Sequence, residues 1–268
     1  MKILFTGGGT GGHFFPIIAL AREIKLIAEK NLIIDLGLYY LGASDPEKSR
    51  LLKQEGFIEV GVLTGKWRRY ASWQNFIDLF KMVFGILQTV WRFFIIVPDV
   101  VFSKGGYGAI PAVVASVIFR IPLVIHESDA IPGKVNLWSA RFADKIGIAF
   151  AGAAAFFPKK KTALVGIPLR KKLFSGTSSS ARENLKVGSG LPVLGFIGAS
   201  QGSQNINNVL LGILKELASE FEVLHQCGEK NFRDIKGETE IILSPDLKGR
   251  YHLFGFMNEE EMRDFYAA

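Results

Sequence analysis

The run Gly7-Gly8-Gly9-Thr10-Gly11-Gly12-His13 stands between a short apolar segment and an apolar-periodic one. A Gly loop that opens a helix presents backbone N–H groups and the positive end of the helix dipole, which makes an anion site. Gly7, Gly9 and Gly12 also satisfy the dinucleotide spacing. That reading wants an acidic residue at the end of the second strand, and Leu41-Gly42-Ala43 offers none. No Gly-Lys-Ser/Thr follows, so a P-loop is excluded. His13 sits where a helix begins. A cation is poorly placed there, so neutral imidazole is favoured, and that form suits a general base. A histidine in this place also caps helices or contacts phosphates without moving a proton, and position alone does not separate these roles.

Two further loops carry polar chemistry. Gly105-Gly106-Tyr107-Gly108 follows an apolar run at Asp99–Ser103, and His126-Glu127-Ser128-Asp129 follows Pro122–Ile125. Both fall beyond the carboxyl ends of strands, where open α/β sheets bind ligands. Glu127 and Asp129 have acid–base chemistry. For Glu127 the reading adopted is hydrogen bonding that organises its loop. In the second half, Gly195-Phe196-Ile197-Gly198-Ala199-Ser200-Gln201-Gly202 repeats the strand, Gly turn and helix order, and Ser200 with the amides around it suits a diphosphate. With four histidines and one cysteine, the chain does not supply a built-in transition-metal site.

The elements that must hold these loops alternate. Strands are expected at Lys2–Thr6, Asp35–Leu41, Asp99–Ser103, Pro122–His126 and Lys145–Ala149. Helices are expected at Phe14–Ala28, Ser44–Gln54, Ala109–Phe119 and Gly133–Ala143. The rhythm restarts with strands at Pro192–Ile197, Phe221–Gln226 and Tyr251–Phe254 and helices at Ser203–Leu217 and Glu259–Tyr266. This βαβα order predicts an α/β fold with parallel sheets covered on both faces. The Ser/Gly-rich stretches Ser175–Ser180 and Gly188–Gly190 mark a domain boundary or its edge. The second doubly wound domain stops after roughly half of what such a domain needs.

The chain has 268 residues, 49% hydrophobic and 21% charged, which excludes disorder, collagen and coiled coil. Its single cysteine, Cys227, excludes a disulfide framework and makes a reducing compartment the default. The N-terminus does not read as a signal peptide. No transmembrane span is expected, since polar residues interrupt the uncharged stretch Val187–Leu214. Residues 1–170 hold 21 Lys/Arg against 12 Asp/Glu, a balance of +9, and residues 171–268 hold 11 against 13, a balance of −2. A basic first half admits an anionic partner, whether nucleic acid, lipid or a phosphorylated substrate. Within it, Phe76, Phe80, Phe84, Leu87 and Trp91 belong to a broad apolar stripe over Trp73–Val97, with Lys66, Arg68 and Arg69 upstream. Such a stripe is usually core. So many large groups exceed one packing face, and the expectation is a partly exposed patch for lipid or a partner.

Taken together, Gly7–His13 with Pro16, Gly105-Gly106-Tyr107, His126-Glu127, Pro132-Gly133 with Asn136, Pro168 with Arg170, and Gly198–Gly202 with Asn207 resemble, in order and spacing, the peptidoglycan N-acetylglucosaminyltransferases that form lipid II from lipid I. The resemblance runs the length of the chain. It implies a GT-B fold of two Rossmann-like domains. Residues 1–170 would be the acceptor- and membrane-binding domain, and 171–268 the first part of a UDP-sugar domain. It implies inverting, cofactor- and metal-independent transfer from UDP-N-acetylglucosamine to the 4-hydroxyl of lipid I. The enzyme would be peripheral on the anionic cytoplasmic face of the cell membrane, without nucleic acid. The alternatives are another GT-B UDP-sugar enzyme (a glycolipid synthase or an epimerase) and a non-catalytic membrane-binding remnant.

Carried over by motif, His13 would be the base on the acceptor hydroxyl, and Thr10, Gly11 and Gly12 would line the diphosphate cleft. Asp129, Arg170, Ser200 and Met257 would contact the donor. Gly105, Gly106, Tyr107, Glu127 and Asn136 would form acceptor loops. Asp129 and Ile167 stand where the family has Asn. Past Ala268 the family continues with a Gly/Ala loop, a ribose-binding glutamate and sugar-binding glutamines, so the chain reads as a fragment or truncated product.

Overall fold

The computed structural model describes residues 1–8, 11–42, 46–65, 74–188, 190–199 and 201–268, with backbone alone at 47 and 74–77. The expectations for Thr10, Ser200, the Phe76 side chain and the basic residues Lys66, Arg68 and Arg69 lie outside what is described. The chain divides into two compact units, Met1–Leu169 and Arg170–Ala268.

The first unit runs β1 (Lys2–Thr6), α1 (Gly11–Lys30), β2 (Gly37–Gly42), α2 (Pro46–Gln54), β3 (Phe57–Gly61), α3 (Gln74–Ile96), β4 (Val100–Ser103), α4 (Ile110–Phe119), β5 (Leu123–Glu127), α5 (Lys134–Ser139), β6 (Lys145–Ile148) and β7 (Thr162–Leu164). The sheet order is β3-β2-β1-β4-β5-β6-β7, and every pairing is parallel. The strand order reverses between β1 and β4, so the loops after these two strands flank the switch point. Side chains alternate across the strands. Ile3 and Phe5 join Phe14, Ile17, Leu38 and Leu52 in one buried cluster, while Leu4 and Leu41 join Val101, Ile125 and Phe93 in another. Both faces are covered, which is why both parities of β1 are apolar.

The second unit holds α6 (Ser178–Asn184), β8 (Val193–Ile197), α7 (Gln204–Glu220), β9 (Glu222–Gln226), α8 (Phe232–Ile242), β10 (Tyr251–Phe254) and α9 (Glu259–Ala267). Its parallel sheet is ordered β10-β9-β8. Buried Leu210, Leu214, Val223 and Ile235 fill one face, and Leu185, Leu224, Met257 and Phe265 the other. Cys227, just past β9, is buried with its thiol donating to the Phe254 carbonyl (3.3 Å), and burial pushes its pKa up. Asn258 opens α9 with a capping box. Its Oδ1 accepts from the Glu260 and Glu261 amides, and Glu261 Oε2 accepts from the Asn258 amide.

The structure corrects several sequence expectations. The Ser/Gly stretch 175–180 is no boundary. It lies inside the second unit, where Thr177 caps α6 by accepting from the Ser180 amide. Strands β3 and β7 and helix α8 were not expected. β3 and β7 are short edge strands defined by what they pair with, and α8 is polar and carries Gly237 in its interior. Among the described residues, one helix is also long and apolar enough to cross a membrane, by length and composition alone. Asp78–Ile96 has a mean hydropathy of 1.6, with 17% of its residues buried. Gly85, Thr89 and Phe93 form its buried stripe, and the Phe93 ring packs on Phe119 of α4. The opposite face is open: Phe80 is 52%, Phe84 58%, Leu87 60% and Trp91 64% exposed.

Candidate active site

At the switch point the chain builds its first cluster from three strand ends. Thr6 closes β1, and its carbonyl accepts from the Lys104 amide (2.8 Å), carrying the β1–β4 pairing one residue further. Gly7 and Gly8 lead toward α1, whose first residues are Gly11, Gly12 and His13. The His13 Nδ1 lies 3.1 Å from the Lys104 carbonyl. A carbonyl only accepts, so Nδ1 carries the proton and Nε2 of the neutral ring carries the lone pair. Burial, opposed by that hydrogen bond, holds the imidazole below its ordinary pKa; the Lys104 charge lowers it further, and Asp129 and Glu127 act the other way.

Glycine is required where the two loops close on this ring. Gly105 and Gly106 have φ of +84° and +81°. A Cβ on Gly8 would lie 2.9 Å from His13 Cδ2 and 3.3 Å from Nε2. A Cβ on Gly106 would lie 2.8 Å from Gly8 Cα and 3.8 Å from Nε2. Side chains at either position would cover the proton-accepting nitrogen. At Gly12, by contrast, a Cβ would meet nothing within 4 Å among the described residues. Tyr107 follows at the start of a 3₁₀ turn and is partly exposed.

The β5 loop completes the cluster. Glu127 is buried; Oε1 accepts from the Asp129 amide (2.9 Å), and Oε2 accepts from the Gly133 amide (3.0 Å) and Asn136 Nδ2 (3.0 Å). Both of its oxygens serve the loop, which is the organising role expected of it. Asn136 also donates to the His126 carbonyl (3.2 Å), and its Oδ1 stands beside Gly105, where a Cβ would approach to 2.5 Å. Asp129 is exposed. Lys104, which the sequence reading passed over, is 1% exposed, and its ammonium donates to Ser128 Oγ. Burial lowers its pKa, while Glu127 and Asp129 hold it up. The sequence signal was a lysine between an apolar strand and two glycines, a place where a solvated charge is out of keeping.

The second unit builds a matching loop after β8. Ala199 has φ of +57° and Gly202 +72°, the left-handed region that a non-glycine residue enters at a cost. A Cβ on Gly202 would fall 2.0 Å from the Cys227 carbonyl oxygen. Gly198 donates to Gln226 Oε1 (3.2 Å), and Gln226 Nε2 donates to the Gly255 carbonyl (2.8 Å). A buried chain of hydrogen bonds, which sequence reasoning missed, fixes the start of α7. Asn207 Nδ2 donates to the Cys227 carbonyl (3.2 Å), and its Oδ1 faces His225 Nε2 (3.0 Å). Nε2 therefore carries the proton, and His225 Nδ1 accepts from the Tyr251 hydroxyl (2.8 Å). Burial drives the His225 pKa down to about 4 and the Tyr251 phenol up.

Arg170 belongs to this second unit, with Nη1 3.5 Å from Glu259 in the first turn of α9. Met257 puts its side chain into the apolar cluster with Leu185, Val187 and Phe265.

A seven-stranded parallel sheet with loops gathered at its switch point, followed by a second parallel sheet that opens with its own Gly turn, is the GT-B architecture. Comparison with known proteins agrees. Residues 3–148 match the glycosyltransferase family 28 N-terminal domain. Over all 268 residues the chain is 38% identical to the UDP-N-acetylglucosamine–N-acetylmuramyl-(pentapeptide) pyrophosphoryl-undecaprenol N-acetylglucosamine transferase of Legionella pneumophila strain Lens, and spans 69% of that protein. It superposes on the crystal structure of Acinetobacter baumannii MurG with a TM-score of 0.62 at 21% identity, covering 98% of this chain and 68% of that one. Anabaena HepE in complex with UDP-glucose gives 0.62 at 16% identity, covering 98% and 71%. The chain belongs to glycosyltransferase family 28, and is by that membership a glycosyltransferase.

Proposed function

We propose that this chain transfers N-acetylglucosamine from UDP-N-acetylglucosamine in peptidoglycan synthesis, and that its acceptor is the 4-hydroxyl of lipid I. The observation that carries the reading is the His13 ring, held by Nδ1–H on the Lys104 carbonyl, with Nε2 close to Gly8 and Gly106 and without a hydrogen-bond partner among the described residues. In the reaction Nε2 takes the acceptor hydroxyl proton as that oxygen attacks the anomeric carbon. The bond from that carbon to the UDP phosphate oxygen breaks, its electron pair leaves with UDP, and the configuration inverts. Thr10, Gly11 and Gly12 line the diphosphate cleft, and Gly105, Gly106, Tyr107 and Asn136 shape the acceptor loops. Ser200 and the amides at the start of α7 hold the donor phosphates, where developing negative charge meets a helix N-terminus. Arg170, Asp129 and the Met257 backbone are donor contacts in the same reading. The first unit is the acceptor and membrane domain, and the second binds the UDP-sugar. Incubation with radiolabelled UDP-N-acetylglucosamine and a lipid I analogue should give a labelled disaccharide lipid, while UDP-glucose should not label it. Release of an epimerised sugar nucleotide without transfer would refute the proposal.

The exposed face of α3 supplies the membrane contact in this reading. Phe80, Phe84, Leu87 and Trp91 lie open on one side, with exposed Lys81 and Arg92 nearby on the helix. An amphipathic face of this kind rests in the interface of a bilayer, with cations toward anionic headgroups. Replacing Phe80, Phe84 and Trp91 together with Ser should weaken binding to anionic vesicles and leave the folded dichroism in place. Added salt should weaken the wild-type binding too. Unfolding of the triple variant with vesicle binding unchanged would make these residues core and overturn the assignment.

A further inference from the structure

Lys104 touches all three loops of the first cluster. Its amide donates to Thr6, its carbonyl accepts from His13, and its ammonium reaches Ser128 on the β5 loop. Its Cβ also lies 3.2 Å from where a Cβ of Gly7 would stand. The side chain is buried to 1%, an unusual place for a lysine whose single hydrogen-bonded partner among the described residues is a hydroxyl. A surface lysine is explained by solubility; this one is explained by something inside the cluster that needs a positive charge.

We infer that Lys104 is the positioning residue of the proposed base: its carbonyl fixes the His13 tautomer, and its ammonium, held on Ser128, places a buried positive charge in the same cluster of loops. The inference rests on the reading of His13 given above and assigns a role to a neighbour that no motif marked. The electrostatics around the ring are balanced. Lys104 opposes protonation of His13 and of His126, while Glu127 and Asp129 on the β5 loop favour both His13 protonation and the Lys104 charge. The Ser128 contact keeps the ammonium at this point and away from a direct ion pair with Glu127, whose oxygens are taken up by backbone amides and Asn136. A proton acceptor surrounded by two carboxylates would otherwise be charged over more of the working range and unable to accept.

The test is a side-chain nitrogen NMR titration of the protein, with the His13 signal assigned by its loss in His13→Gln, beside the pH profile of kcat/KM. Wild-type His13 should show the tautomer with Nδ1 protonated. Lys104→Met and Lys104→Gln both remove the charge, and Gln retains a donor for Ser128. Each should raise the His13 midpoint and move the acid limb of kcat/KM upward by the same amount. Lys104→Arg should leave both in place. A purely structural lysine would lower activity evenly across pH without moving the midpoint, and an unmoved midpoint in both neutral variants overturns the inference. So does a wild-type ring protonated on Nε2. If the midpoint moves and the acid limb does not, the coupling holds and the assignment of His13 as the base is what fails.

Discussion

His13→Ala should lower the turnover of glycosyl transfer by about 10²–10⁴-fold, the usual loss when a positioned general base is removed. The effect should fall on kcat more than on KM, because the ring makes its productive interaction with a proton in flight. His13→Gln serves as the companion. It keeps a polar group near the Lys104 carbonyl but has no basic nitrogen, so it should be as impaired as alanine. Substrate binding measured by calorimetry should change little in either variant. Turnover within a factor of two of wild type would remove His13 from the chemistry and return it to the helix-capping role that its position also allows.

The second large effect is on stability. His225 is buried and uncharged, with a pKa of about 4 against 6.5 for the free side chain. Between those values the unfolded chain binds a proton that the folded chain excludes. Stability therefore rises with pH across this window, is fully present above about 6.5, and is lost as pH falls toward 4. Each tenfold change in proton affinity between the two states is worth ~1.4 kcal/mol, so the loss across the window is on the order of 3 kcal/mol. The structural reason is explicit. Protonating Nδ1 removes the acceptor that the Tyr251 hydroxyl donates to and places a charge on a fully buried ring. Hydrogen exchange at the β9 amides, corrected for intrinsic rates, should report a second unit that opens more readily at pH 4.5 than at pH 7. In His225→Phe that slope should flatten, even though the variant is weaker at every pH. A wild-type second unit equally protected at both pH values would contradict the assignment of the ring as buried and neutral.

How much was legible beforehand follows a physical line. β1, the Gly7–Gly12 loop and the start of α1 were readable because their signal is local. An apolar run, glycines and an apolar-periodic stretch sit in sequence, and the fold uses them in that order. The open face of α3 was readable because its stripe was too wide for one packing surface, and the exposure of Phe84 and Trp91 bears that out. Lys104 was not readable, since a lone lysine next to glycines looks like a solvated turn until β4 is placed between β1 and β5. The His225 chain was hidden for the same reason. Asn207, His225 and Tyr251 are 18 and 26 residues apart in sequence and meet only through parallel pairing and the return of α7. Strands β3 and β7 have short patterns that become strands by having a neighbour.

Cys227 turns the second unit into its own clock. It is the one thiol in the chain, and it lies buried under the carbonyl of Phe254 with its ionisation suppressed. A reagent meets it only when the β9–β10 end parts, so the rate of alkylation under native conditions counts those openings directly. No label has to be introduced. The same residue that closes the sheet records, in the slope of its modification with urea, how much of the sheet must come apart for one opening to occur.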